Sequence, residues 1–157
     1  WSKFICSWIR DNEELSVKKC YICSVNFKCK KIEESDYENI LIKWWSDWGF
    51  EAPPQDFLSD YGLIVYDGDI PVCAGYIYIT NSSSAIINWV VSNKDYRKKP
   101  QRNNALDELI INLTYLCEKG GYKYIFIQNN NNSLISRFKK HGFITGVTNS
   151  TELIKNI

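Results

Sequence analysis

From Val25 to Lys30 apolar and polar residues alternate: Val25, Phe27 and Cys29 against Asn26, Lys28 and Lys30. Period two marks a half-buried strand. From Ser35 the period lengthens. Ile40, Leu41, Trp44, Trp45 and Trp48 recur at helical spacing behind a Ser35–Glu38 capping box, and Gly49 offers the left-handed residue that ends a helix. Pro53 and Pro54 cannot continue it, and a short helical turn is expected around Gln55 to Leu58. Gly62 to Tyr66 and Ile70 to Ile79 read as strands joined at Asp67-Gly68, and Ala85 to Val91 as a third after the Asn81 to Ser84 turn. This is an antiparallel meander. A polar, basic stretch, Ser92 to Arg102, follows it.

Beyond Asn104 the stripe Ala105, Leu106, Leu109, Ile110, Leu113, Leu116 and Cys117 predicts an amphipathic helix closed by Gly120-Gly121. Tyr122 to Ile127 reads as a short strand and Ser133 to Lys140 as a second amphipathic helix stopped by Gly142. Phe143 to Val147 and Glu152 to Ile157 read as closing strands. The predicted order is β-α-β-β-β-α-β-α-β-β, an α/β (α+β) fold with a mixed central sheet flanked by helices. Residues 25–157 form one domain, with no repeat or linker to divide it. Residues 1–24 mix Trp, Cys and charge without periodicity and read as an N-terminal extension, with one short helix around Asp11 to Lys19.

Composition narrows the classes. At 157 residues, 45% hydrophobic and 24% charged, the chain has the balance of a globular domain with a sizeable core. The net charge of +1 argues against a protein that coats nucleic acid, so any basic site is local. No apolar run approaches the roughly 20 residues that span a bilayer, and Trp1 to Arg10 does not read as a secretory leader. A cytoplasmic protein without a membrane partner is expected.

Cys6, Cys20, Cys23, Cys29, Cys73 and Cys117 make an even set, but a chain of this size without a leader needs no disulfide staples. Cys20-Tyr-Ile-Cys23 lacks the second CxxC or His pair of a zinc site, and His141 is the lone histidine. Reduced, packed thiols are expected, and no metal.

One stretch carries a physical argument for a ligand. A strand feeding a loop and then a helix N-terminus forms an anion site, because first-turn amides point outward at the positive end of the helix dipole. Here Lys94, Arg97, Lys98, Lys99 and Arg102 lie between the strand ending at Val91 and the helix of Ala105. Pyrophosphate and ribose phosphate suit such a site.

The run from Ile87 to Leu109 resembles the central strand, pyrophosphate loop and following helix of the GNAT acyltransferase superfamily. The run from Tyr124 to Phe143 resembles its fifth strand, its coenzyme-contacting Asn (Asn131), and the helix that ends in Gly-Phe (Gly142-Phe143). The resemblance covers roughly residues 25–157 and implies a GNAT-like fold, acetyl-CoA or a related acyl-CoA as co-substrate, and transfer to an amine. The coenzyme residues it implies are Val90, Val91, Arg97, Lys98, Lys99, Arg102, Asn103, Asn104, Ala105, Asn131, Ser133 and Phe138. It departs from the family in two places. The loop Lys99-Pro-Gln-Arg-Asn-Asn104 holds no glycine, so Asn103 and Asn104 are expected to supply left-handed geometry. Phe138 stands where many members carry a tyrosine that protonates the departing thiolate, and a hydroxyl there is expected to speed transfer.

No acid that could serve as a general base occupies Ala85 to Val91. Ser92, Tyr124 and Tyr78 are the catalytic candidates, with Asp47 and Glu51 behind them. His141, beside the Gly142 stop, reads as a partner of a helix C-terminus. On the first helix Trp44 and Trp48 share a stripe while Trp45 turns about 100° away. Two of the three are expected against the sheet. Trp48, Phe50 and Trp89 are the candidates for an acceptor wall. Three readings stay open: an N-acyltransferase, a catalytically silent CoA-binding or interaction domain of the same fold, and a transferase acting on nucleic-acid bases.

Overall fold

The computed structural model of the protein describes residues 27–149, 151 and 153–155. The expected Asp11 to Lys19 helix, the first two residues of the Val25 strand, and Cys6, Cys20 and Cys23 lie outside them. Five strands form one mixed sheet in chain order: β1 (Phe27–Lys31), β2 (Gly62–Asp67), β3 (Ile70–Ile79), β4 (Ser84–Ser92) and β5 (Tyr124–Ile127). The first four are antiparallel neighbours, which the meander pattern predicts for β2, β3 and β4. β5 lies parallel to β4, which requires a crossover, and helix α2 (Arg102–Lys119) provides it.

Between β1 and β2 runs a helical stretch, α1, built of Glu34–Asp36, a π-helical segment Tyr37–Leu41, and Ile42–Asp47. Its capping box uses Glu33 and Asp36, two residues earlier than Ser35 and Glu38. The reason is the Asp36 carboxylate, which accepts from the Glu33 amide at 2.9 Å, from Lys30 Nζ on β1 at 3.3 Å and from the Tyr66 hydroxyl on β2 at 3.3 Å. The cap thereby ties the helix start to two strands. A 3-10 turn, Gln55–Phe57, follows where the prolines predict it.

The sheet is sandwiched. On one face Cys29, Leu63, Val65, Val72, Ile77, Ala85 and Ile87 pack on the Leu106–Leu109–Leu113 stripe of α2 and on Phe138 of helix α3 (Asn132–Lys140). On the other, Ile64, Ala74, Tyr76 and Val91 pack under Leu41, Trp44 and Trp45 of α1. The buried pair is thus Trp44 and Trp45, adjacent in sequence, with Trp48 only half-buried. Cys29, Cys73 and Cys117 are free, buried thiols; burial raises all three pKa values, that of Cys117 to about 12.

One expectation fails. Phe143 to Val147 is not a strand: residues 143–149 hold no regular element, and Ile144 and Val147 are exposed. Glu152 to Ile157 likewise shows no strand at its described positions. Gly142, at φ 89°, turns the chain out of α3, and Phe143 packs edge-on against Phe138, their centroids 5.0 Å apart. That contact holds the start of the segment on the helical side rather than along β5. The alternation of Phe143, Thr145 and Val147 is real, and β5 is the last strand of the sheet with one edge free, but the segment does not pair with it.

Candidate functional site

β4 has β5 beside it only from Ser84 to Ile87, whose partners are Tyr124 to Ile127. Asn88 to Ser92 continue on β3 alone, with Asn88 opposite Tyr76, Val91 opposite Ala74 and Ser92 opposite Cys73. Pairing with β5 therefore ends at Ile87, and from Asn88 onward no described strand lies on that side of β4.

At the parting point the register slips. Trp89 and Val90 on β4 oppose the single residue Gly75 on β3, a bulge. A Cβ at Gly75 would press within 3.1 Å of Val90 Cγ2 and Leu113 Cδ1, so the bulge requires the glycine opposite it. Trp89 takes φ 54°, a conformation that costs a bulky residue of order 1–3 kcal/mol, and its amide donates to Asn88 Oδ1 at 2.9 Å. Trp89 and Val90 are turned by the bulge rather than by strand alternation, which is why period-two reading does not find them.

The far end of β4 is clamped from both faces. The Trp48 indole Nε1 donates to the Ser92 carbonyl at 2.7 Å, and Arg102 Nη2 donates to the Ser92 hydroxyl at 2.9 Å. Lys94 Nζ and the Arg97 guanidinium lie over the Trp48 ring at 5.5 and 6.0 Å, and Lys94 also reaches the Asp47 carbonyl that ends α1. These bonds hold the strand end where β5 no longer does.

The basic loop is a run of turns. The amides of Tyr96, Arg97, Lys99 and Arg102 each donate to the carbonyl three residues back. Tyr96 is buried, and its hydroxyl donates to Asp67 at the β2–β3 turn, which anchors the loop to the sheet. Arg97, Lys98 and Lys99 stay exposed. The loop thus spends these amides internally and presents cations outward.

The left-handed geometry expected of Asn103 and Asn104 is corrected, and the surroundings of the other expected coenzyme residues are defined. Asn103 and Asn104 are helical residues of α2 and not left-handed; among the described residues only Trp89 and Asn149 are non-glycines at positive φ. Asn103 accepts from Arg137 through both its carbonyl, at 2.9 Å, and its Oδ1, at 2.7 Å. Ala105 is fully buried and its amide bonds to the Gln101 carbonyl. Asn131 is the N-cap of α3, its Oδ1 accepting from the Ser133 and Leu134 amides at 3.0 and 3.2 Å. Phe138 is core, 2% exposed, and touches no cleft. Arg102 is drawn inward by Ser92, and burial, with Arg137 and Arg97 nearby, lowers its pKa; its Nε is buried without a protein acceptor.

The remaining candidates divide. Val90 and Val91 lie on the unpaired reach of β4, and Ser133 stands exposed in the first turn of α3. The Ser92 hydroxyl is buried against Arg102. Tyr78 donates to the Phe57 carbonyl at 3.1 Å, and burial raises its phenol pKa. Tyr124 is exposed on β5, and Phe50 is exposed just past α1. His141 caps no helix carbonyl with its ring; Nε2 meets Asp107 Oδ1 at 2.9 Å, beside Arg137 Nη1 at 2.8 Å and Lys140 Nζ at 3.0 Å. That cluster ties α3 to the first turns of α2. No group of three or more His, Cys, Asp or Glu among the described residues is placed to hold a metal.

An open strand edge, a bulge at its start and a cationic loop leading into an 18-residue helix thus follow one another along the chain. No protein-family model and no curated protein sequence matches the chain. Solved structures do. Glucosamine-6-phosphate N-acetyltransferase from Arabidopsis thaliana is similar with a TM-score of 0.61 at 13% identity, over 82% of this chain and 99% of that one. The ribosomal-protein-S18-alanine N-acetyltransferase of Escherichia coli gives 0.57 at 13%, over 77% and 79%. An aminoglycoside acetyltransferase from an uncultured soil metagenomic sample gives 0.56 at 13%, over 83% and 96%. The chain has the GNAT acetyltransferase fold.

Proposed function

We propose that the protein transfers an acyl group, acetyl in the first instance, from coenzyme A to a primary amine. The observation that carries this reading is the parting of β4 from β5 at Asn88, between the Trp89 bulge and the basic loop. The coenzyme's phosphates would meet Arg97, Lys98 and Lys99 at the mouth of α2, and its arm would lie along Val90 and Val91 in place of the missing strand.

In the reaction the amine nitrogen attacks the thioester carbonyl carbon. A C–N bond forms, the C–S bond breaks, the nitrogen loses a proton and the thiolate gains one. The protein's contribution at the carbonyl is backbone donors on the free edge of β4, which need no side chain. Phe57, Tyr78, Ile86 and Trp89 include no carboxylate or imidazole, so in this reading the ammonium gives its first proton to solvent before the neutral amine attacks. A CoA thiol ionises near the value of a free cysteine, about 8.5, so it leaves without an obligatory acid, though slowly by the standards of assisted transfer.

The test is mass spectrometry of an amine panel incubated with acetyl-CoA and the protein, with thiol release followed in parallel. Acylated amine in step with free thiol is the expected result. Saturable acetyl-CoA binding with no acylated product would favour the silent CoA-binding domain, and absence of acetyl-CoA binding would end both readings. Salt-dependent binding of DNA or RNA at the loop would instead support the base-modifying transferase.

A further inference from the structure

Among the described residues, the α1-side face of the sheet past Trp48 keeps large apolar side chains exposed. Ala85 and Ile87 on β4, and Ile125 and Ile127 on β5, belong to the helical core opposite, so alternation turns Ile86 and Phe126 to this face. Tyr78, Ile86 and Phe126 are Cα neighbours across β3, β4 and β5 and form one row. Ile86 is 36% exposed and Phe126 60%.

Trp89 stands beside this row at the point where the strands part. Its ring meets Phe57 edge-on, centroids 5.7 Å apart at 86°, and its indole N–H reaches the Tyr78 hydroxyl, which in turn donates to the Phe57 carbonyl. A left-handed, bulky residue persists only where its surroundings over-determine it, and such strain gathers at sites that bind or react. Here the strained residue holds an aromatic corner, yet Phe57 in that corner is still 43% exposed. The cations of the basic loop follow Ser92 at the other end of β4, none of Phe57, Tyr78, Ile86, Trp89 and Phe126 is ionised near neutral pH, and the one carboxylate next to them in sequence, Asp56 beside Phe57, is exposed.

We infer that this wall receives the body of the acceptor, and that the acceptor is a primary amine on an apolar, aryl-sized group bearing neither phosphate nor additional ammonium groups. The inference rests on the acyltransferase reading and names its substrate class. A sugar phosphate would need a cation at the wall and a polyamine would need carboxylates. A flat apolar body needs what is there: an edge-to-face aromatic corner and an apolar row leading away from the thioester.

The experiment titrates 2-phenylethylamine, ethylamine, glucosamine 6-phosphate and an aminoglycoside into the protein saturated with acetyl-CoA, with calorimetry for binding and mass spectrometry for transfer. A peptide with N-terminal Phe separates a small acceptor from a chain terminus. The expected result is at least tenfold tighter binding of 2-phenylethylamine, or of the Phe peptide, than of ethylamine. That advantage should fall about tenfold in W89A and at least threefold in F126S, a substitution at an exposed position that should leave the melting curve in place. Acetyl-CoA affinity should stay within about twofold in F126S. Equal affinity for the two simple amines, or preference for the sugar phosphate or aminoglycoside, overturns the inference while leaving the acyltransferase reading intact. If acetyl-CoA does not bind, that reading fails, and the same amines titrated into the protein alone then decide whether the wall binds aryl groups at all; equal weakness there overturns this inference too.

Discussion

Replacing Trp48 with Phe isolates the clamp on the end of β4. The substitution keeps a ring over the sheet and removes one donor, the Nε1–H that reaches the Ser92 carbonyl at 2.7 Å. Ser92 is 6% exposed, so water has little access to the abandoned carbonyl. Losing a hydrogen bond and stranding its acceptor costs about 1–3 kcal/mol. Lys94 and Arg97 also lose part of their attraction, since Phe offers a weaker face than Trp, which adds a few tenths of a kcal/mol on the scale of about 0.5–1 for exposed pairs. Together these give about 1.5–3 kcal/mol. For a chain of this size 1 kcal/mol moves Tm by about 2–4 °C, so the melting point should fall by about 3–12 °C. Circular dichroism melts, checked for reversibility, measure this, and hydrogen exchange should show faster opening of the Ser92 to Tyr96 amides. A melting point within 1 °C of wild type, with unchanged exchange, would refute the clamp.

Three further outcomes follow from the same geometry. Changing Arg97, Lys98 and Lys99 together to Ala should weaken acetyl-CoA binding by about 1–3 kcal/mol, the range for exposed charge-assisted contacts, and should flatten its dependence on salt; calorimetry at two ionic strengths reads both. Burial raises the Asp107 pKa, but hydrogen bonds from His141, Arg137 and Lys140 outweigh it and depress the carboxyl below its usual range. A depressed folded pKa means that the stabilisation is full above the unfolded value of about 3.9 and is lost as pH falls through the folded one. D107N should therefore cost about 1–2 kcal/mol near pH 7, a difference that shrinks below about pH 4 in denaturant titrations. Because Phe138 is buried on Phe143, F138Y should not accelerate transfer; it places a hydroxyl in the core and should lower stability by about 1–3 kcal/mol, read by the same titrations.

What could be read from the chain was what repeats. Alternation from Phe27, helical spacing from Ala105 and the glycine stops at Gly49 and Gly142 fixed the elements, and their order led to the fold. The cation run Arg97-Lys98-Lys99 was visible because it is contiguous. Contacts between distant positions were not: Asp67 with Tyr96, Trp48 with Ser92, and Asp107 with Arg137 are each separated by about thirty residues or more. The local roles of Asn131 and Asn103, capping α3 and accepting from Arg137, were not legible either, because each depends on the fold around it. The C-terminal strand pattern at Phe143 was misread because alternation states which side chains share a face and does not show that Gly142 and the Phe138–Phe143 contact direct the chain away from the free edge of β5.

The central claim is that coenzyme A lies along the free edge of β4, between the bulge and the basic loop. Titrating acetyl-CoA into 15N-labelled protein and following its amide resonances tests that claim directly. The account predicts saturable shifts concentrated at Asn88 to Ser92 and at Arg97 to Asn104, with β1 and β2 unmoved apart from Asp67 and its neighbours. Saturable shifts confined to another face of the sheet, or no shift at millimolar acetyl-CoA, would contradict it.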